Sequence, residues 1–381
     1  MKRGRMILLF FILCPLLSGC FDSNEPERMV YLHGLGIDYK DGKFHGYLQY
    51  INVGSLAKSE SAAAPSKEKI EVGHVSGRNI DEAMFNVYPS TQIRVFWGHL
   101  KYIVISKAAL ENKGLEKVLD LFDRYRETRY RIWMYSTEED IKEVLHTYQP
   151  LQITSTLTEL GEPINSYKQN SLLQPKNMRE LLIAIQQPGQ NGLLPQVSLT
   201  QKDMWQEDHK NLPAIDVSGM ALVTKEKLLG FLTDDDIGGY QWVTEKSKRS
   251  GVTVEKDGQP MATVVIEKSK VNIKPSLIGD KIHFTINLKY SGLINELNQQ
   301  IEVNDLAAAA AAQIKEDIIH TYSKALAING DIYELGEVLH KKNNKLWKQL
   351  NENGRVPLEE DSISVNISLL IKHSGKLRPV K

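Results

Sequence analysis

The chain has 381 residues, a quarter of them charged, and its 47 Lys and Arg are balanced by 47 Asp and Glu. With no net basic field, nothing argues for a nucleic-acid partner or for general attraction to anionic lipid, and neither is expected. The apolar share of 41% is that of a globular protein, and beyond residue 19 the chain is long enough for roughly two or three domains.

Lys2, Arg3 and Arg5 precede an apolar run from Met6 to Leu17. As a helix this run of about 12 residues spans only roughly 18 Å, against a hydrocarbon core of about 30 Å. Pro15 also interrupts it. The run therefore reads as the apolar part of a signal peptide rather than a membrane span. It ends in Leu17-Ser18-Gly19-Cys20, which resembles a bacterial lipobox. The expectation is a signal peptide over 1–19, cleavage after Gly19, and a Cys20 carrying S-diacylglycerol and N-palmitoyl groups. Stable anchoring takes two acyl chains, and a diacylglyceryl group supplies them. Residues 20–28 then form an acylated tether. The eight residues from Phe21 to Arg28, fully extended, reach at most roughly 28 Å, so the folded part is expected close to the outer face of a lipid bilayer. The chain has two cysteines, and Cys14 leaves with the signal. The folded part therefore has no disulfide, thiolate metal site or cysteine nucleophile.

In chain order, Met29 to Asp38 reads as a strand, with Gly34 and Gly36 allowing close backbone approach. Lys40-Asp41-Gly42-Lys43 is a hairpin turn signal, and Phe44 to Val53 is the returning strand. The small, polar stretch Gly54 to Lys69 is a loop. A strand follows at about 70–76, then a short helix over 79–87 with Ile80, Ala83, Met84 and Val87 on one face. Strands are expected at Ile93–Phe96, Lys101–Ser106 and Tyr130–Tyr135, a helix at Leu115–Asp123, and a further helix capped by Ser136 or Thr137 with Ile141, Val144 and Leu145 inward. A helix over 177–186 is ended by Pro188-Gly189 and Pro195, with a strand at Val197–Thr200. The charged stretch Asp203 to Pro213 is the best boundary candidate.

Val217–Val223 and Lys227–Leu232 frame a hairpin turn. Val252–Val254, Ala262–Lys268, Lys270–Pro275 and Lys281–Tyr290 alternate as antiparallel strands, with turns at Asp257-Gly258 and Gly279-Asp280. Asn304 is placed to cap a long alanine-rich helix whose stripe is Ile314, Ile318, Tyr322 and Leu326, stopped by Asn329-Gly330. Asp331-Ile332-Tyr333-Glu334 has the spacing of a capping box, and Ser362 to Lys372 is a final strand. The whole predicts a multi-domain α+β (mixed α/β) chain. Mixed and antiparallel sheets are flanked by helices, and the C-terminal domain is a meander, a helix pair and a strand. The expected domains are 29–202, 213–272 and 273–381.

Catalytic patterns are missing. The histidines are scattered, and no HExxH, GxSxG, phosphate loop or paired-glutamate spacing occurs. His99 reads as a structural histidine at a strand turn. Asp234-Asp235-Asp236 reads as a solvated helix start, because adjacent carboxylates on a regular element do not all face one ion. No enzyme activity, cofactor or metal is expected.

Several segments together carry a resemblance. They are Leu35-Gly36-Ile37-Asp38 with Asp41-Gly42-Lys43; Ser76 to Ala83 followed by Trp97-Gly98-His99-Leu100-Lys101; Gly114 to Asp120 with Arg124 to Arg131; and Gly230-Phe231-Leu232, Lys270 to Pro275 and Asp331 to Trp347. They resemble the spore germination receptor C-subunit family of Gram-positive spore formers over nearly the whole mature chain. Phe21 departs from that family's usual tryptophan after the lipid cysteine, and Ser59 to Ser66 is an expanded loop. The resemblance implies three mixed α/β domains without enzyme activity. It implies a lipid-anchored subunit beside A- and B-type membrane-embedded subunits in the spore inner membrane, in a receptor that senses small nutrients and triggers germination. It leaves open whether this subunit contacts the nutrient. The alternative is a solute-binding lipoprotein of a transporter, which predicts two similar α/β lobes.

Overall fold

The computed structural model describes residues 29–51, 70–125, 127–147, 158–200, 204–352 and 354–372. Cys20, its tether and the expected loop up to Lys69 lie outside the described residues. The first strand pair forms where its sequence predicts. β1 (Met29–Lys40) and β2 (Lys43–Ile51) are antiparallel, joined through Asp41 and Gly42 with φ of 51° and 73°. Two successive left-handed residues match the twist of a hairpin, which is why Asp-Gly serves there. β3 (Glu71–Gly77) pairs with β2, and α1 (Ile80–Phe85) follows, capped by Asn79.

β1 is buried at every residue from Tyr31 to Asp38 because it runs through the middle of the sheet. Its first residues pair in parallel with β4 (Arg94–Phe96), and its later ones with β5 (Tyr102–Ser106). A Cβ at Gly36 would sit 2.1 Å from Ile141 Cγ2, so glycine is required for the covering helix to approach. α2 (Lys107–Glu111) and α3 (Gly114–Arg124) pack on one face through Leu110, Leu115, Val118 and Phe122. After β6 (Trp133–Thr137), α4 (Ile141–His146) covers the other face through Ile141, Val144 and Leu145. The cap of α4 is Asp140, whose Oδ1 accepts from the Lys142 amide at 2.8 Å, and not Ser136 or Thr137. Those two residues complete β6, which is buried at every residue from Met134 to Thr137 because it lies inside the sheet beside β5.

α5 (Ile164–Gln169) and α6 (Met178–Gln186) precede β7 (Gly192–Leu199). Pro195 lies inside β7 rather than ending the preceding segment. It stands opposite Met220, and β6 meets this strand only at Gln196, so that side has few ladder bonds to lose. The charged stretch after residue 203 is a small excursion, β8 (Gln206–Glu207) and β9 (Lys210–Asn211). The chain then returns as β10 (Ile215–Val223), antiparallel to β7, and β11 (Leu228–Thr233) extends the same sheet. The order is β11-β10-β7-β6-β5-β1-β2-β3 with β4 on β1, nine strands in all. The break expected between 202 and 213 thus falls within a continuous sheet.

β11 runs directly into α7 (Asp234–Ile237). The second sheet is β12 (Ser250–Lys256), β13 (Gln259–Ile278), β14 (Lys281–Leu297) and β15 (Ile363–Lys372), the last parallel to β14. β13 is one strand of 20 residues with a register shift between Ile266 and Lys268, where the sequence pattern suggested two strands. The boundary expected at 272/273 therefore cuts a single strand. α8 (Val303–Ala327) buries Leu306, Ala310, Ile314, Ile318 and Tyr322 at intervals of four, the stripe its periodicity predicts. Its cap position is held by Glu302, and Asn304 is already helical. α9 (Leu335–Lys342) and α10 (Asn344–Leu350) complete the helical layer. One core joins Met220, Leu222 and Leu232 of the first sheet to Phe284, Ile286, Ile318 and Leu335 of the second part. Among the described residues, no helix is long and apolar enough to cross a membrane.

Candidate functional site

The residues singled out by sequence do structural work where they are described. Burial raises the Asp38 carboxyl's affinity for a proton, but hydrogen bonds from Ser106 Oγ, Lys40 and the Tyr39 amide outweigh it and hold the group below the ordinary carboxylate range. Ser106 Oγ also accepts from the Ala109 amide at 3.0 Å, so Asp38 ties the end of β1 to the start of α2. Asn79 accepts from the Glu82 amide at 2.8 Å, and Arg78 clamps the same glutamate. His99 ends a 3-10 turn and packs edge-on against Tyr31 at 5.0 Å between centroids. Burial, then Arg129 and Lys101, hold it below the usual histidine range. The aspartate run splits. Asp236 Oδ2 takes the Thr233 hydroxyl at 2.9 Å, and its Oδ1 pairs with Lys324 at 2.9 Å. Burial raises Asp234, and the neighbouring carboxylates Asp216 and Asp235 raise it further. Among the described residues, no three His, Cys, Asp or Glu are grouped to hold a metal ion.

A different place gathers charge. Between α6, the segment 240–246 and the 332–341 stretch lies a cavity of about 380 Å³, lined by Lys176, Lys246 and Lys341 and by Glu180, Glu334 and Glu337. It is built by the short link Gly189-Gln190-Asn191, between α6 and β7, which grips the start of α9. Gln190 Nε2 donates to Glu334 Oε1 at 2.7 Å, and Asn191 Oδ1 accepts from the Asp331 amide at 2.7 Å. Glu334 sits in the left-handed region at φ 56°, and Asp331 Oδ2 accepts from the Gly336 amide at 2.7 Å. The capping box expected over 331–334 is therefore not formed, because the tight turn at Glu334 starts the helix one residue later and Asp331 caps it from outside. Among the described residues, Gln190 Oε1 and Asp331 Oδ1 are buried without a hydrogen-bond partner. Burial pushes the Asp331 carboxyl up to about 6, against lowering by the Gly336, Leu335 and Tyr333 amides. The arrangement can hold a small polar or doubly charged molecule. Sequence reasoning passed over it because Pro188-Gly189 carries only a breaker signal and its partner lies far along the chain.

The raised Asp331 value gives a pH signature. The folded state holds this proton more tightly than the unfolded chain does, so the group's contribution to stability falls as pH rises from about 4 to about 6 and is level beyond. Asp331→Asn is expected to gain on the wild type by about 3 kcal/mol between those limits, read as the difference in denaturation free energy against pH. A difference independent of pH would show that the carboxyl is not buried as a proton holder.

Two family models match. "Spore germination protein N-terminal domain" covers residues 22–199 and "Spore germination B3/GerAC like, C-terminal" covers residues 218–375. Spore germination protein KC of Bacillus subtilis (strain 168) is 22% identical over 100% of this chain and 98% of its own length. Spore germination protein B3 of the same organism is 25% identical over 78% of this chain and 76% of its own length. The crystal structure of the GerBC protein superposes with a TM-score of 0.53 at 18% identity, covering 90% of this chain and 97% of that one, which shows a common fold. With both models matched and together spanning most of its length, the chain belongs to the spore germination B3/GerAC-like family, the family its sequence resembles.

Proposed function

We propose that the protein is the lipid-anchored C subunit of a nutrient-germinant receptor. In this reading it assembles with A- and B-type membrane-embedded subunits and works without enzyme activity. Its place is the outer face of the cell membrane and, in the dormant spore, the inner membrane. The observation that carries the reading is the pair of family matches over residues 22–199 and 218–375, the first beginning two residues after the Leu17-Ser18-Gly19-Cys20 motif. The alternative, a solute-binding lipoprotein, calls for two similar lobes. The nine-stranded mixed sheet and the four-stranded sheet with its long helix are unlike one another, which favours the receptor subunit.

Deleting the gene is expected to abolish or strongly slow the response of spores to at least one nutrient while leaving germination by non-nutrient triggers intact. The measurement is loss of refractility and release of dipicolinate over a nutrient panel. An unchanged response to every nutrient, in a strain stripped of other receptors, overturns the assignment.

A further inference from the structure

We propose that the face carrying Phe85, Tyr88 and Ile93 is a second membrane contact, resting in the headgroup region of the bilayer beside the N-terminal anchor. The proposal rests on the reading of Cys20 as acylated. α1 turns Ile80, Ala83 and Met84 inward and leaves Phe85 57% exposed; Ile93 and Tyr88 are 44% and 36% exposed. These side chains are not scattered. The Phe85 and Tyr88 rings meet edge-on at 5.7 Å, and Tyr88 and Ile93 line a cleft of about 450 Å³ floored by Val95, Trp97 and Tyr125. Trp97 Nε1 donates to the Tyr88 hydroxyl at 3.2 Å, fixing that ring at the rim.

Position selects the occupant. Arg94, next to Ile93, stands opposite Met29 in the parallel β1–β4 pairing. Only the eight residues Phe21 to Arg28 separate Met29 from Cys20, a reach of at most roughly 28 Å. The exposed aromatic cluster therefore sits where the chain leaves the anchor, and aromatic rings with a polar tip favour the headgroup layer. Arg94 is paired with Glu127 at 2.6 Å, so this arginine is already neutralised by a carboxylate. Contact then depends on inserting apolar side chains and not on anionic lipid.

Cys20 is the sole thiol after residue 19, which allows a direct test. The chain from residue 20 is coupled through Cys20 to phosphatidylcholine vesicles carrying a maleimide lipid. Its amide exchange is compared with that of the same chain capped by a soluble maleimide. Peptides covering 80–97 are expected to exchange about five-fold or more slowly on the vesicle, with no loss on adding salt. Phe85→Ser with Ile93→Ser, both at exposed positions, is expected to keep its thermal unfolding and lose the protection. Equal exchange of 80–97 in tethered and capped chains overturns the proposal. So does protection confined to the β13–β14 turn at Leu277 and Ile278, or protection given only by added membrane protein. Because the coupling is chemical, this outcome is separate from acylation itself, which is read by the mass of the lipid on Cys20.

Discussion

Cys20→Ala is expected to move the protein from the membrane fraction to the soluble fraction, or to remove it by degradation, and with it the nutrient response. The physical reason is the size of the acyl contribution. Each buried methylene contributes about 0.8 kcal/mol, yet a single chain of myristoyl length gives only reversible binding near 10⁴ M⁻¹, and stable anchoring takes two chains. A diacylglyceryl thioether supplies both from one residue. No described helix offers a substitute span, and the aromatic face at Phe85 and Ile93 is too small to hold the chain alone. Fractionation of spores with immunodetection, and the mass of the N-terminal peptide, measure the effect. Full membrane retention and normal germination in the variant would count against acylation at Cys20.

Elements fixed by neighbours in sequence were legible from the residues. The Asp41-Gly42 hairpin needs two left-handed residues and has them, and α8 announces itself through a run of strong helix formers carrying an apolar stripe that ends at Asn329-Gly330. Features made by distant segments were not. Nothing local in 206–211 tells that β7 and β10 lie side by side across it; a polar, charged hairpin looks the same whether it links two domains or leaves and rejoins one sheet. Asn304 and the Asp331–Glu334 spacing look like caps, but side chains choose caps only where the backbone turn allows it, and both helices start elsewhere. The charged cavity was illegible for the same reason. Gln190 and Glu334 are 144 residues apart, and neither belongs to a pattern of its own.

The largest stability effect is expected at that junction, from Gly336→Val. A Cβ at Gly336 would lie 2.5 Å from the Gly189 carbonyl oxygen and 3.0 Å from its Cα. The obstacle is backbone, and it comes from a residue itself held at φ +75° with its amide bonded to the Gly354 oxygen at 3.1 Å. Neither side has a rotamer to give, so α9 must lift away from the 189–191 link. That movement strains or breaks the Gln190–Glu334 and Asn191–Asp331 bonds and disturbs Leu335 and Leu339, both fully buried in the core that joins the two sheets. Overpacking costs about 1–3 kcal/mol, and each lost hydrogen bond about 1 kcal/mol, giving a destabilisation of about 3–5 kcal/mol by chemical denaturation. Gly336→Ala carries the same Cβ with less bulk behind it and should fall below that. Gly42→Ala, at φ +73° with open space around it, isolates backbone strain without any clash and should cost about 1 kcal/mol. A loss at Gly336 no larger than at Gly42 would mean that α9 and the 189–191 link part without cost, making the junction a hinge instead of a clasp.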